Sequence, residues 1–219
     1  MIKALAIKEL RESAGLVTLA ALGMAWVVLS GMGRNPLQMF IEHNYTTHHL
    51  AFIGDSFYAD SMSVVGLFAV LLGFKQTVWE LHRNTFSFLL HRPLSRQKIL
   101  AIKLTIGGLL TFGLLAVAIL TYGLWANTPG NSIVPFQWSM TAESWRLAQS
   151  LVLIYLGAFL SGIRPGRWFG TRLLPLAGAI LVAISTNILV FWWLRLPALG
   201  IAIAGWLVAI DSYAQTRDY

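Results

Sequence analysis

The sequence contains no cysteine and few charged residues. Of its 219 residues, 11% are Asp, Glu, Lys or Arg, against about 25% in a typical soluble domain. Without cysteine the chain cannot form a disulfide, a thiolate metal site or a cysteine nucleophile. With 57% hydrophobic residues, a soluble globule of this size would leave many apolar side chains facing water. Composition therefore excludes soluble, disordered and disulfide-stapled classes and predicts an integral membrane protein.

Three catalytic motifs are also absent from the sequence. It has no GxxxxGK[ST] nucleotide-binding loop, no GxSxG nucleophile elbow and no HExxH zinc motif. We therefore expect no enzymatic activity and no cofactor in this chain, and an intramembrane enzyme is the least favoured function. The segment 34–60 contains Glu42, His43, His48 and His49. Because their spacing matches no standard ligand pattern, no metal site is predicted.

Long uncharged runs predict six membrane spans. A helix perpendicular to the bilayer needs about 20 residues to cross it. The predicted spans cover residues 13–33, 61–79, 104–126, 147–163, 173–194 and 196–213. The run Asn-Thr-Pro-Gly-Asn at 127–131 predicts a turn after the third span. The predicted fold class is an all-α integral membrane protein with a single domain over 1–219.

The distribution of basic residues predicts which ends of the spans face the cytoplasm. Basic residues are retained on the cytoplasmic side of a membrane. With both termini inside, the outer segments hold only Arg34, Arg146 and Arg195. The inner segments hold the other thirteen basic residues: Lys3, Lys8, Arg11, Lys75, Arg83, Arg92, Arg96, Lys98, Lys103, Arg164, Arg167, Arg172 and Arg217. The net charge of +7 is therefore interpreted as topology and attraction to lipid headgroups, and not as nucleic-acid binding.

The first residues predict a separate amphipathic helix. Ile2, Ala6 and Leu10 recur at i+4, and the charged residues from Lys8 to Glu12 cluster opposite them. This pattern predicts a short helix lying on the inner membrane surface before the first span.

Two polar residues inside predicted spans are candidates for a translocation path. Lys75 lies near the inner end of the second span, where an ionisable group is costly and often functional. It either extends to the headgroups or faces a central cavity, and both interpretations stay open. Asn187 lies deep in the fifth span, and hydrogen bonding between helices is the alternative role for it.

The segment 80–103, between the second and third spans, is the most informative part of the sequence. Pro93 disfavours helix at Arg92 and forces a bend, and Ser95 is a good N-cap for the third span. Apolar side chains lie beside a basic rim on this projection: Phe86, Phe88, Leu89 and Leu90. Such a patch binds either lipid or a groove on a protein, and the pattern alone favours neither.

At these residues the sequence resembles the permease subunits of type-2 ABC exporters. In that family the corresponding loop typically runs as an acidic residue, Thr, paired Leu, Pro-x-Ser-Arg and a Lys opening the third helix. The matching residues here are Glu80, Thr85, Leu89, Leu90, Pro93, Leu94, Ser95, Arg96 and Lys103. The basic start from Lys8 to Arg11 and the pair Arg217-Asp218 are also typical of the family.

The resemblance implies a transport subunit without its own motor. Two separate ATPase subunits would carry ATP and Mg, and a second permease copy, identical or similar, would complete a dimer in a bacterial inner membrane. Their docking surface would comprise Glu80, Arg83, Thr85, Phe86, Leu89, Leu90, Arg92, Pro93, Leu94, Ser95 and Arg96. The cargo would be amphipathic or lipid-like and move outward. The alternative is a membrane-embedded binding or assembly subunit with no transport cycle.

Overall fold

The computed structural model describes residues 2–33, 51–53, 56–82, 95–132, 134–167, 171–189 and 191–216. Every element within these ranges is helical. The long helices are α1 (Ile2–Gly31), α2 (Phe57–Phe74), α3 (Arg96–Asn127), α4 (Ala142–Ile163), α5 (Leu174–Ile188) and α6 (Trp192–Thr216). A π-helical turn (Lys75–Trp79) and a last α-helical turn (Glu80–His82) continue α2, and a 3₁₀ turn (Trp138–Thr141) precedes α4.

Five of the helical segments are long and apolar enough to cross a bilayer. They are Ile2–Gly31, Phe57–Trp79, Arg96–Asn127, Trp138–Ile163 and Trp193–Gln215. The all-α prediction is therefore confirmed for the described residues, and five apolar helices of spanning length support an integral membrane protein. α5 is apolar but has only 15 residues, equivalent to about 22 Å of helix. The six-span count and the orientation of the termini stay predictions.

The boundary between the last two spans differs from the prediction. Counting from charge to charge predicts that the fifth span ends at residue 194 and the sixth begins at 196, with Arg195 in a loop between them. In the structure α5 ends at Ile188 and α6 begins at Trp192. Arg195 thus lies in the first turn of α6, where its side chain is buried. The fifth segment is consequently shorter, and the last longer, than counting from charge to charge predicts.

The separate surface helix predicted at the N-terminus is wrong. Residues 2–31 form one continuous helix, and of the charged residues at 8–12 Glu9 is turned into the protein whereas Arg11 and Glu12 stay exposed. Glu9 is buried, whereas Ile2 and Leu10 are exposed. The reversal has a physical cause: Glu9 has a cationic partner on α3, so its carboxylate is stabilised inside the bundle.

The N-terminal boundary of α3 confirms another expectation. The helix begins at Arg96, and Ser95 occupies the N-cap position with extended backbone (φ −61°, ψ 141°). Its side chain makes no capping hydrogen bond. At its other end α3 stops at Asn127, and Gly130 adopts φ +93° in the predicted turn.

α4 is the central helix of the bundle. In its spanning segment 83% of the residues are buried, against 17–39% in the other four. Close contact with α2 depends on Gly73, since a Cβ there would lie 2.8 Å from Ala158 Cβ and 2.9 Å from the Phe159 backbone nitrogen. α2, α3, α5 and α6 pack around α4, and α1 packs against α2 and α3. These outer helices turn large apolar side chains outward, as expected of a protein embedded in lipid.

Topology can be tested by labelling single cysteines in this cysteine-free chain. Cysteines at Asn44 and Ser132 should react with a membrane-impermeant maleimide from outside, and one at Gly166 only after the membrane is opened. The reason is the asymmetry of basic residues. The unsubstituted chain provides the unlabelled control. Labelling of Gly166→Cys from outside would contradict the six-span arrangement.

Candidate functional site

The most unusual feature of the bundle is a buried ion cluster formed by Glu9, Glu80 and Lys103. The Lys103 ammonium lies 2.7 Å from Glu9 Oε1 and 2.6 Å from Glu80 Oε1. Lys103 has 0% of its surface exposed, Glu9 2% and Glu80 4%. These residues come from α1, from the turn that ends α2 and from α3. A single lysine therefore joins three helices that are distant in sequence.

Neutral side chains extend this cluster to the central helix. Tyr155 of α4 donates a hydrogen bond from its hydroxyl to Gln76 Oε1 at 2.6 Å, and the same hydroxyl lies 3.2 Å from the Lys103 carbonyl oxygen. Gln76 Nε2 in turn approaches Glu9 Oε2 at 3.5 Å. The Tyr155 ring fits because residue 107 of α3 is glycine, whose missing Cβ would clash with it. The cluster is thus connected to four helices.

The π-helical turn Lys75–Trp79 lies directly beside the cluster. A π turn inserts one extra residue into an α-helix, and such turns are frequent at functional sites. Here it accompanies the inward placement of Gln76, Thr77 and Glu80, all of which are buried.

A polar cavity of about 270 Å³ opens next to the cluster. Its lining residues are Glu9, Glu12, Ser13, Leu72, Lys75, Gln76, Trp79 and Glu80. Lys75, a predicted path residue, is half-buried here, and its ammonium donates a hydrogen bond to the Glu12 carbonyl oxygen. Lys8 lies 3.5 Å from both Glu12 Oε1 and Glu80 Oε1. Lys75 therefore does not extend away from the protein, and it is not part of the buried ion cluster. It lies in the wall of the cavity beside that cluster.

The charge balance of the site argues for structural ion pairing in preference to metal binding. The carboxylate oxygens of Glu9, Glu12 and Glu80 lie within 4.8 Å of one another, close enough to ligate one cation. Lys103 and Lys8 already supply positive charge at those oxygens. The carboxylates of Glu9, Glu12 and Glu80 are thus paired with Lys8 and Lys103, and the Lys75 ammonium lies beside them on the Glu12 carbonyl oxygen, so the site has its own countercharges.

The predicted docking residues fall into two groups. Glu80, Ser95 and Arg96 lie within the described residues, at the two points where the chain leaves and re-enters the bundle. Glu80 is buried and ion-paired, whereas Ser95 and Arg96 are exposed. The remaining predicted residues lie outside the described part of the chain: Arg83, Thr85, Phe86, Leu89, Leu90, Arg92, Pro93 and Leu94.

Asn187, the second predicted path residue, belongs to a different polar group at the opposite end of the bundle. Its Nδ2 donates hydrogen bonds to Ser150 Oγ at 3.0 Å and to the Ala183 carbonyl oxygen at 2.8 Å. Its Oδ1 accepts a hydrogen bond from Arg195 Nη2 at 2.6 Å. Asn187 therefore bonds α5 to both α4 and α6, as the helix-pairing interpretation expects.

Sequence reasoning missed Glu9, Gln76, Tyr155 and Arg195. A signal for the ion cluster was present in α3, where Lys103 shares the i+4 spacing of Ile99, Gly107 and Thr111. All four are buried, so the lysine lies on the small, inward-facing side of its helix. Glu9 gave no comparable signal, because its neighbours are charged and suggest an exposed face.

The fold and the buried site together define an α-helical integral membrane protein with an ion-paired core at one end. No family model, no curated protein and no solved structure matches the chain. Its function is therefore argued from its own residues.

Proposed function

We propose that this chain is the permease subunit of a type-2 ABC exporter in a bacterial inner membrane. In this proposal two separate ATPase subunits hydrolyse ATP, and a pair of permease chains moves an amphipathic or lipid-like cargo outward. The segment 83–95 contacts the ATPase subunit and transmits its movement to the helices.

One observation carries the proposal: the ion cluster fastens both ends of that segment to the bundle. Glu80 lies at the end of α2, just before the segment, and Lys103 lies two turns after it on α3. Their ion pair of 2.6 Å is buried, so the two flanking helices cannot separate without exposing a charge to an apolar medium. A loop whose two ends are joined by this ion pair would move together with α2 and α3.

The cluster also determines where such a movement would be transmitted. Glu9 joins the base to α1, and Tyr155 joins it to the central helix α4. A push on the loop would therefore be transmitted to α1, α2 and α3 together, and through Tyr155 to α4. In this proposal Glu80 positions the loop through its ion pair with Lys103. The other residues of the loop contact the ATPase subunit.

An apolar groove between α1 and α3 supports a lipid-like cargo. It has a volume of about 530 Å³, and small residues, among them Ala21, Ala25 and Gly113, form part of its wall. Among the described residues that line it, Thr121 alone has a polar side chain, and its hydroxyl donates to the Val117 carbonyl oxygen. Such a surface accommodates hydrocarbon and offers nothing to a polar solute.

The docking role is tested with the double variant Leu89→Ala/Leu90→Ala. Apolar anchors in a desolvated pocket typically contribute about 2 kcal/mol or more each. We therefore expect association with the ATPase subunit to weaken by roughly 30-fold or more, or ATP hydrolysis to be uncoupled from transport. The measurements are co-purification of the ATPase from membranes, ATPase rate and transport. Arg92→Ala alone should have a smaller, salt-sensitive effect.

The matched control changes two exposed leucines elsewhere, in Leu19→Ala/Leu22→Ala on α1. This variant should leave association unchanged. Normal association, hydrolysis and transport in Leu89→Ala/Leu90→Ala would mean that the loop is a membrane-surface turn, and the exporter proposal would fail.

A further inference from the structure

The second polar group, around Arg195, contains a buried cation with unused hydrogen-bonding capacity. Only 2% of Arg195 is exposed. Its Nη2 donates to Asn187, but among the residues that the structure describes its Nε and Nη1 have no hydrogen-bond partner. A buried guanidinium without an anion is strongly unfavourable in a membrane-spanning segment. An anion is the partner that would offset this cost most fully.

The charged groups near Arg195 do not supply that anion. Arg146, Glu143 and Tyr58 are the ionisable groups that act on it electrostatically. Glu143 already forms an ion pair with Arg146, so the described surroundings contain two arginines and one engaged carboxylate. The starts of α4 and α6 lie at this same end, and helix N-termini add further positive potential.

Asn187 holds the guanidinium in a fixed orientation. Because Asn187 Nδ2 is committed to Ser150 and Ala183, its Oδ1 is the atom that faces Arg195. The guanidinium is thereby bound through one terminal nitrogen. Nε and Nη1 remain for an anion, and Arg is the side chain best suited to phosphate and carboxylate.

The depth of Arg195 indicates where the anion comes from. Arg195 lies in the first turn of α6, and the exposed Trp193 and Phe191 flank the start of that helix. Exposed aromatic residues at helix ends mark the membrane–water interface, which is the level of the headgroups. Both unused nitrogens are buried at this level of the bundle.

We propose that Arg195, positioned by Asn187 and Ser150, binds the phosphate or carboxylate headgroup of an amphiphile at the α4–α6 junction. This site lies at the end of the bundle opposite the ion cluster and is independent of the exporter proposal. It would act on a bilayer lipid or on an anionic amphiphile from solution, since both present the same group.

The test is calorimetric titration of the purified full chain in an uncharged maltoside detergent. The probes are dodecyl phosphate, dodecanoate, inorganic phosphate and, as a charge control, dodecyltrimethylammonium. We expect both anionic amphiphiles to bind, and Arg195→Gln to weaken binding roughly tenfold or more, as loss of a charge-assisted hydrogen bond implies. Arg11→Gln, which removes the same charge from an exposed position at the other end, should bind normally.

A second variant separates loss of binding from loss of folding. Asn187→Asp places a carboxylate oxygen where Oδ1 now lies 2.6 Å from Arg195, so the protein supplies its own anion. It should fold at least as stably as the unsubstituted chain and yet bind dodecyl phosphate more weakly. Unchanged binding in both Arg195→Gln and Asn187→Asp would overturn the proposal.

Two further arms identify the source of the anion. Arg195-dependent stabilisation in nanodiscs containing phosphatidylglycerol, relative to phosphatidylcholine alone, would identify a lipid headgroup. Arg195-dependent binding of inorganic phosphate would identify a free anion at the same site. Glu42→Gln and Asp55→Asn test whether an acid of the chain outside the described residues is the partner of Arg195. If either substitution destabilises the protein only while Arg195 is present, and no amphiphile binds, the proposal is contradicted.

Discussion

Replacing Lys103 with methionine is expected to lower the free energy of unfolding by roughly 3–5 kcal/mol, the typical effect of removing one partner from a buried ion pair. Methionine fills similar volume but leaves Glu9 and Glu80 as neighbouring buried carboxylates. Lys8, 3.5 Å from Glu80 Oε1 and 4.0 Å from Glu9 Oε1, is partly exposed and compensates incompletely. The measurement is unfolding in mixed micelles by added dodecyl sulfate, followed by tryptophan fluorescence.

Two comparison variants define what this loss means. Lys98→Met makes the same change at an exposed position of α3 and should alter stability by less than about 0.5 kcal/mol. Glu9→Gln/Glu80→Gln/Lys103→Met removes all three charges and should recover much of the loss, because no uncompensated ion remains. A stable Lys103→Met single variant would show that the cluster does not hold the helices together.

Replacing Gly73 with alanine is expected to destabilise the protein by roughly 1–3 kcal/mol through overpacking. The added methyl group would lie 2.9 Å from a backbone nitrogen of α4, and backbone cannot rotate away as a side chain can. α2 and α4 would have to move apart along the most extensive contact of the central helix. The same unfolding assay reports the change.

The matched substitution Gly113→Ala should have the opposite sign. Nothing lies within 4 Å of a Cβ at Gly113, and alanine favours helix over glycine by up to about 1 kcal/mol. Equal effects at the two glycines would mean that the α2–α4 contact is looser than the structure describes.

The sequence was sufficient to predict the membrane class and most helix ends, because these depend on local features. Uncharged runs mark spans, and the Pro-Gly turn at 129–130 and Ser95 mark the ends of α3. The errors occurred where a charge is neutralised at a distance. Arg195 was expected in a loop because its contact with Asn187 depends on how α5 and α6 pack, and no local pattern contains that information.

The candidate site was less predictable than the fold for the same reason. Glu80 and Lys103 were selected through a family resemblance, yet nothing in their spacing of 23 positions indicates that they touch. Glu9 lies still further away in sequence and was assigned to an exposed face. Pairing among three helices is a property of the assembled bundle, so it becomes visible only when the packing is known.

The central position of α4 has a consequence for the order in which the bundle is assembled. Chains are synthesised from the N-terminus, so α2 and α3 precede α4, and the partners of Tyr155 are already present when it emerges. The partners of Ser150 and Ser161 come later, because Asn187 and the Leu176 backbone N–H both belong to α5. When α4 enters the membrane, the hydroxyl oxygens of Ser150 and Ser161 therefore still lack the donors that α5 later provides. α5 has 15 residues and is the shortest of the six long helices. It is then held in place by hydrogen bonds to Ser150 and Ser161, which are already present on α4.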